Sequence, residues 1–217
     1  MKLFLLDIDG TLLDSLSKHE EAFYLACNEY NYNINNDTKE KLKRKSTQYK
    51  LDYLSKNKLI HNIDIPWILE KKNEFSLDLC FVDFKPYFQH IDAINYITNE
   101  LNCKVALCSN SSREFVNKFI DKCGFENNIS FSLSGDDVER KKPYGDIYLK
   151  AFRLSNVLPN EAIIFEDNEE GEYAAVRAGC HNIVKIDRPE DIGPNLILRL
   201  QEKYNISYNN SKFFVHK

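Results

Sequence analysis

Leu3-Phe4-Leu5-Leu6 is an unbroken apolar run, of the length of a strand buried on both faces. From residue 15 the spacing changes to a helical period, with Ala22, Phe23, Ala26, Cys27 and Tyr30 on one face. Residues 38–58 and 66–81 keep that spacing, separated by Lys- and Asn-rich joints. Nothing between 15 and 84 alternates as a strand does. Beyond 88 the pattern changes again. Ile91, Ile94, Ile97 and Leu101 form a helix stripe, and Cys103-Lys104-Val105-Ala106-Leu107-Cys108 then reads as a strand ending at Ser109-Asn110-Ser111-Ser112. Ser111 and Glu114 have capping-box spacing ahead of the helix face Phe115, Val116, Phe119, Ile120 and Cys123. A short strand at 129–133, a helix at 145–155 and the strand Ala162-Ile163-Ile164-Phe165 follow. An Ala-rich helix at 170–178 closes on Gly179, and Asn182–Ile186 is a last strand. Strands alternating with helices predict an α/β fold with a doubly wound parallel sheet. The division expected is a core of residues 1–14 and 85–217, with a small helical insertion at 15–84 after the first strand.

In such a sheet the C-terminal ends of the strands share one edge, where ligands bind. Asp7 and Asp9, Ser109-Asn110 and Glu166-Asp167 all follow strands and converge there; Lys142-Pro143 comes from a loop that can reach in. Two carboxylates side by side need a cation or shared proton chemistry. Carboxylates bind Mg²⁺, and a hydroxyl, helix N–H groups and an ammonium hold a phosphoryl group. A nucleophilic carboxylate beside them completes a site for phosphoryl transfer. Each cluster alone has a plainer reading: a turn with a capping aspartate, a helix-entry serine, a solvated basic loop beside Arg140 and Lys141, a strand end. Their joint occurrence favours chemistry.

With Asp7-Ile8-Asp9-Gly10-Thr11, Cys108-Ser109-Asn110-Ser111, Lys142-Pro143-Tyr144-Gly145-Asp146 and Phe165-Glu166-Asp167-Asn168-x-x-Gly171 in order, the chain resembles a haloacid dehalogenase superfamily phosphohydrolase. It is most like the branch holding β-phosphoglucomutase, phosphoglycolate phosphatase and sugar phosphatases. Gly145 departs from the second proline usual in the third motif. The resemblance covers residues 1–20 and 86–190. It implies that Asp7 is the nucleophile, forming an aspartyl-phosphate, and that Asp9 is the general acid and base. It implies Mg²⁺ on Asp7, the Asp9 carbonyl, Asp167 and Glu166, and phosphoryl contacts from Ser109, Lys142 and the N–H of Asn110. It further implies that residues 15–84 form a cap selecting the substrate, with His19, Lys43, Arg44 and Tyr49 as specificity candidates beside Lys45 and Ser46. Lys43 fits the mutase pattern, but Arg44 and Thr47 break it, so a phosphatase for small phosphorylated metabolites is expected ahead of a phosphomutase. A phospho-ligand-binding protein without catalysis is the remaining alternative.

Charge narrows the partners. With 29 basic against 33 acidic residues the net charge is −4, which argues against nucleic acid as the main partner. No apolar run is long enough to span a bilayer, and the N-terminus has no secretory pattern. Six dispersed cysteines without a C-x-x-C pair read as reduced core residues of a cytoplasmic protein. A monomer or weak dimer is expected.

Overall fold

The computed structural model describes residues 1–43 and 45–207. The chain divides into two compact units, one of Met1–Asp14 with the chain from Lys85 onward, the other Ser15–Phe84.

The first unit is built on five parallel strands: β1 (Leu3–Leu6), β2 (Lys104–Cys108), β3 (Phe131–Leu133), β4 (Ala162–Glu166) and β5 (Ile183–Lys185), in the order β3-β2-β1-β4-β5. Chain order reverses on either side of β1, so the sheet is doubly wound, as the alternating pattern predicts. Apart from Lys104, which opens β2, and Glu166, which ends β4, the three central strands are apolar because both faces are covered. Leu3, Leu5, Ala106, Cys108, Ala162 and Ile164 join one core cluster with residues of two helices, Asp146–Ser155 and Glu169–Arg177. The alternate residues Phe4, Leu6, Val105, Leu107, Ile163 and Phe165 are equally buried, with Phe4 and Phe165 in edge-on contact at 6.2 Å.

The second unit holds α1 (Leu16–Glu29), α2 (Asn36–Leu42), α3 (Thr47–Lys56) and α4 (Ile65–Phe81) around Phe23, Cys27, Leu42, Leu51, Leu54 and Ile68. The helix expected over 38–58 is two helices. Asn35 caps α2 by accepting from the Thr38 N–H, and Ser46 caps α3 by accepting from the Tyr49 N–H.

The remaining helices of the first unit are α5 (Phe88–Asn95), which runs on into a wider π turn over Tyr96–Glu100, α6 (Arg113–Cys123), α7 (Asp146–Ser155), α8 (Glu169–Arg177) and α9 (Pro194–Tyr204). Two details correct the sequence reading. The cap of α6 is Ser112, whose hydroxyl accepts from the Phe115 N–H, not Ser111. And α9 follows the last strand, with Pro194 in its first turn, where no element was expected. Among the described residues no helix is long and apolar enough to cross a membrane.

Candidate active site

The sheet register builds the site. Leu6 pairs with Leu107 on one side and Phe165 on the other, so Asp7, Cys108 and Glu166 emerge level at one edge. The Asp7 N–H donates to the Phe165 carbonyl and the Ser109 N–H to the Leu133 carbonyl, which carries the sheet's hydrogen bonding one residue into the site. After Asp7 the chain turns tightly: the Leu12 and Leu13 N–H groups return to the Ile8 carbonyl, and Gly10 takes φ +86°. That φ favours glycine, and so does the space, since a Cβ at Gly10 would lie 2.2 Å from Asp167 Oδ2. A Cβ at Gly171, in the first turn of α8, would lie 2.0 Å from the Glu166 carboxylate. Two glycines thus let backbone close on the acidic cluster.

Lys142 is the centre of the arrangement. Its Nζ donates to Asp7 Oδ1 at 2.6 Å, Glu166 Oε1 at 2.6 Å and the Cys108 carbonyl at 2.7 Å. An ammonium has three donors, so all three are engaged. Burial alone would drive off its proton, but Asp7 and Glu166 outweigh burial and hold the ammonium above its ordinary value. Asn110 fixes the lysine's main chain, accepting from the Lys142 N–H at 2.9 Å and donating Nδ2 to its carbonyl at 3.1 Å. The Lys142–Pro143 peptide bond is cis.

The carboxylates are crowded. Burial, then the charges of Glu166 and Asp9, push Asp7 up to about 8 against the pull of Lys142. Burial and the Asp7 charge push Asp167 up to about 7, and burial raises Glu166. Ligand oxygens of Asp7, Glu166 and Asp167 all lie within 4.8 Å of one another. Glu166 Oε1 accepts from Lys142 and from the Tyr148 hydroxyl, while its Oε2 is buried without a protein partner. An orphaned carboxylate oxygen among hard oxygen donors, in a cluster short of positive charge, fits a small divalent cation such as Mg²⁺.

Ser109 is fully buried and its hydroxyl donates to Asp9 Oδ2 at 3.1 Å. The Ser111 hydroxyl donates to the same oxygen at 2.7 Å. The structure therefore brings together Asp7, Asp9, Ser109, Asn110, Lys142, Glu166 and Asp167, with the Asn110 side chain committed to Lys142. Two participants were not anticipated. Tyr148 lies on the apolar face of α7, where its pattern is that of a core residue, although its ring also faces Lys142 Nζ at 5.2 Å. Ser111 was read as a cap; one residue of helix register frees it for Asp9.

The other candidates belong to the helical unit. His19 Nδ1 is 3.0 Å from Ser76 Oγ and 3.2 Å from Lys72 Nζ. Lys43 pairs with Glu40 at 3.3 Å on the exposed end of α2. Tyr49 is half exposed in the first turn of α3, with Lys45 Nζ 5.7 Å from its ring centre, and Ser46 is the cap described above. Arg44 lies outside the described residues.

Comparison with known proteins follows the same lines. The model of the family described as haloacid dehalogenase-like hydrolase matches residues 4–185. A phosphorylated carbohydrates phosphatase of Thermotoga maritima is 24% identical over 187 residues, covering 84% of each chain. Among solved structures, a HAD hydrolase of family IA, variant 3, from Entamoeba histolytica matches with TM-score 0.73 and 22% identity over 93% of this chain and 100% of its own. A β-phosphoglucomutase from Clostridium difficile matches with TM-score 0.71 and 21% identity over 95% and 99%. At these identities the structural likeness shows a shared fold.

Proposed function

Since the chain belongs to the haloacid dehalogenase-like hydrolases, we propose that it is a Mg²⁺-dependent phosphatase of small phosphorylated metabolites, sugar phosphates foremost. The observation that carries this reading is the buried Lys142 ammonium, 2.6 Å from both Asp7 Oδ1 and Glu166 Oε1 at the sheet edge. It sets a carboxylate nucleophile beside positive charge and next to a ready cation site. The sugar preference rests on the Thermotoga relative, which is named for phosphorylated carbohydrates.

In this reading Asp7 attacks phosphorus. The bond to the alcohol oxygen breaks as the acyl phosphate forms, and Asp9 gives that oxygen its proton. Asp9 then takes a proton from the water that cleaves the acyl phosphate, which regenerates Asp7 and releases phosphate. The Ser109 hydroxyl and the Asn110 N–H hold phosphoryl oxygens. Lys142 joins them by exchanging one of its three present acceptors. Asp7, the Asp9 carbonyl, Glu166 and Asp167 would hold Mg²⁺, which when bound supplies positive charge that offsets the repulsion between two anions. Residues 15–84 act as the cap, and His19, Lys43, Arg44 and Tyr49 contribute to substrate choice.

The test is a panel of sugar and other metabolite phosphates assayed with Mg²⁺ for phosphate release, wild type against Asp7→Asn. Turnover that depends on Mg²⁺ and on Asp7 is expected. Wild-type rates in Asp7→Asn would refute the mechanism. With β-glucose 1-phosphate and a bisphosphate primer, isomerisation to glucose 6-phosphate without free phosphate would replace the phosphatase by a phosphomutase.

A further inference from the structure

We propose that Ser111 is a positioning residue that keeps the Asp9 carboxylate in place while Ser109 changes partner, an inference that rests on the reading of Asp9 as acid and base. Asp9 Oδ2 accepts from two hydroxyls, Ser111 at 2.7 Å and Ser109 at 3.1 Å. A serine hydroxyl has a single proton to donate. In the present structure Ser109 spends it on Asp9. When Ser109 holds a phosphoryl oxygen, that proton turns to the phosphate and Asp9 loses the bond. The loss falls at the moment when Asp9 must be correctly placed against the leaving oxygen.

Ser111 has no such conflict. It is released from helix capping, which Ser112 performs. Its main chain is pinned on both sides, the N–H donating to Ser109 Oγ at 3.0 Å and the carbonyl accepting from the Gly135 N–H at 2.9 Å. One residue therefore sets both partners. Its N–H fixes the oxygen of Ser109, leaving that hydroxyl's proton free to turn. Its own hydroxyl, the shorter of the two bonds, retains Asp9 through the change.

A proton delivered by Asp9 matters in proportion to the basicity of the departing oxygen. Phenolate is a strong base and needs the proton; p-nitrophenolate is stabilised as an anion and scarcely needs it. The kcat/KM value reports steps up to cleavage of the ester bond, so comparing the two esters isolates the placement of Asp9 from phosphate binding, which they share.

The experiment measures kcat/KM for phenyl phosphate and p-nitrophenyl phosphate with Mg²⁺ in wild type, Ser111→Ala, Ser111→Thr and Asp9→Asn. Ser111→Ala is expected to lose about tenfold on phenyl phosphate relative to p-nitrophenyl phosphate, the scale of one hydrogen bond to a charged group. Ser111→Thr, which keeps the hydroxyl, is expected to recover most of that contrast. A merely structural serine would lower both substrates alike. Equal losses on the two esters in Ser111→Ala, or no loss on either, would overturn the inference. If Asp9→Asn also shows no contrast, the assignment of Asp9 fails first; if Asp9→Asn discriminates and Ser111→Ala does not, only the role of Ser111 fails.

Discussion

Replacing Lys142 by methionine removes the charge and keeps a buried apolar stem. The lysine makes three short bonds, two of them to carboxylates, and is almost wholly buried with both. Bonds to charged groups contribute about 1.5–3 kcal/mol each, so a plain sum would exceed what a single site supplies. Asp7 and Glu166 can escape by taking up protons, which limits the loss to about 3–5 kcal/mol, the range for breaking a buried ion pair. For a chain of this size that corresponds to a fall in Tm of about 6–20 °C. The sign of the pH dependence follows from the carboxylates. Their folded pKa values already stand above the unfolded ones, and losing Lys142 raises them further. An unfolded carboxylate then gives up its proton at lower pH than a folded one, so folded stability is lost as pH rises from about 4 toward the folded values. Thermal denaturation of metal-free wild type and Lys142→Met at pH 5 and pH 8 is the assay. The Tm deficit is expected to be larger at pH 8, and phosphatase turnover with Mg²⁺ to fall at least about a hundredfold. A deficit that is absent, or larger at pH 5 than at pH 8, would refute the reasoning.

Gly171→Ala puts a methyl where the Glu166 carboxylate now lies, and calorimetry of Mg²⁺ binding is expected to show at least a tenfold loss of affinity. Unchanged affinity would mean that Glu166 takes no part in holding the cation. Ser112→Ala removes the cap of α6 and should cost about 1 kcal/mol in urea unfolding, and an unchanged unfolding midpoint would count against that cap. His90 is buried, with Nε2 donating to the Pro189 carbonyl, and burial holds its pKa below the ordinary 6.5. Its contribution is therefore present above pH 6.5 and lost as pH falls. Wild type should lose more Tm between pH 7.5 and 5.5 than His90→Asn, and equal losses would count against this account.

The site was legible in the sequence where a strand announced it. Asp7, Ser109 and Glu166 each follow or end an apolar run, and a parallel sheet gathers such positions at one edge without further information. Lys142 was legible through its motif, although its three acceptors were not, since they come from three different strand ends. Tyr148 could not be told from its neighbours Ile147 and Ala151, because an apolar helix face hides a hydroxyl that donates inward. Ser111 and Ser112 are adjacent and chemically alike, and only the helix register separates their roles. The break between α2 and α3 contains no glycine or proline, so helical periodicity runs across it and Ser46 is the one local signal. The signals of α9 were present in the sequence, since Pro194 stands at its start and Ile197 and Leu200 recur at helical spacing on its buried face.

The seven glycines of this chain do not make one class of position. Gly124 closes α6 with φ +67° and has nothing within 4 Å of where a Cβ would stand, so a saturation library should accept asparagine there, and larger side chains at the cost of backbone strain. Gly171 is the opposite case. Its helical backbone suits any amino acid, yet even the smallest side chain collides with Glu166. Sorting survivors of such a library by stability would flag position 124, while sorting by turnover would flag position 171. The contrast turns an undifferentiated residue type into a map of where this molecule needs a bend and where it needs emptiness.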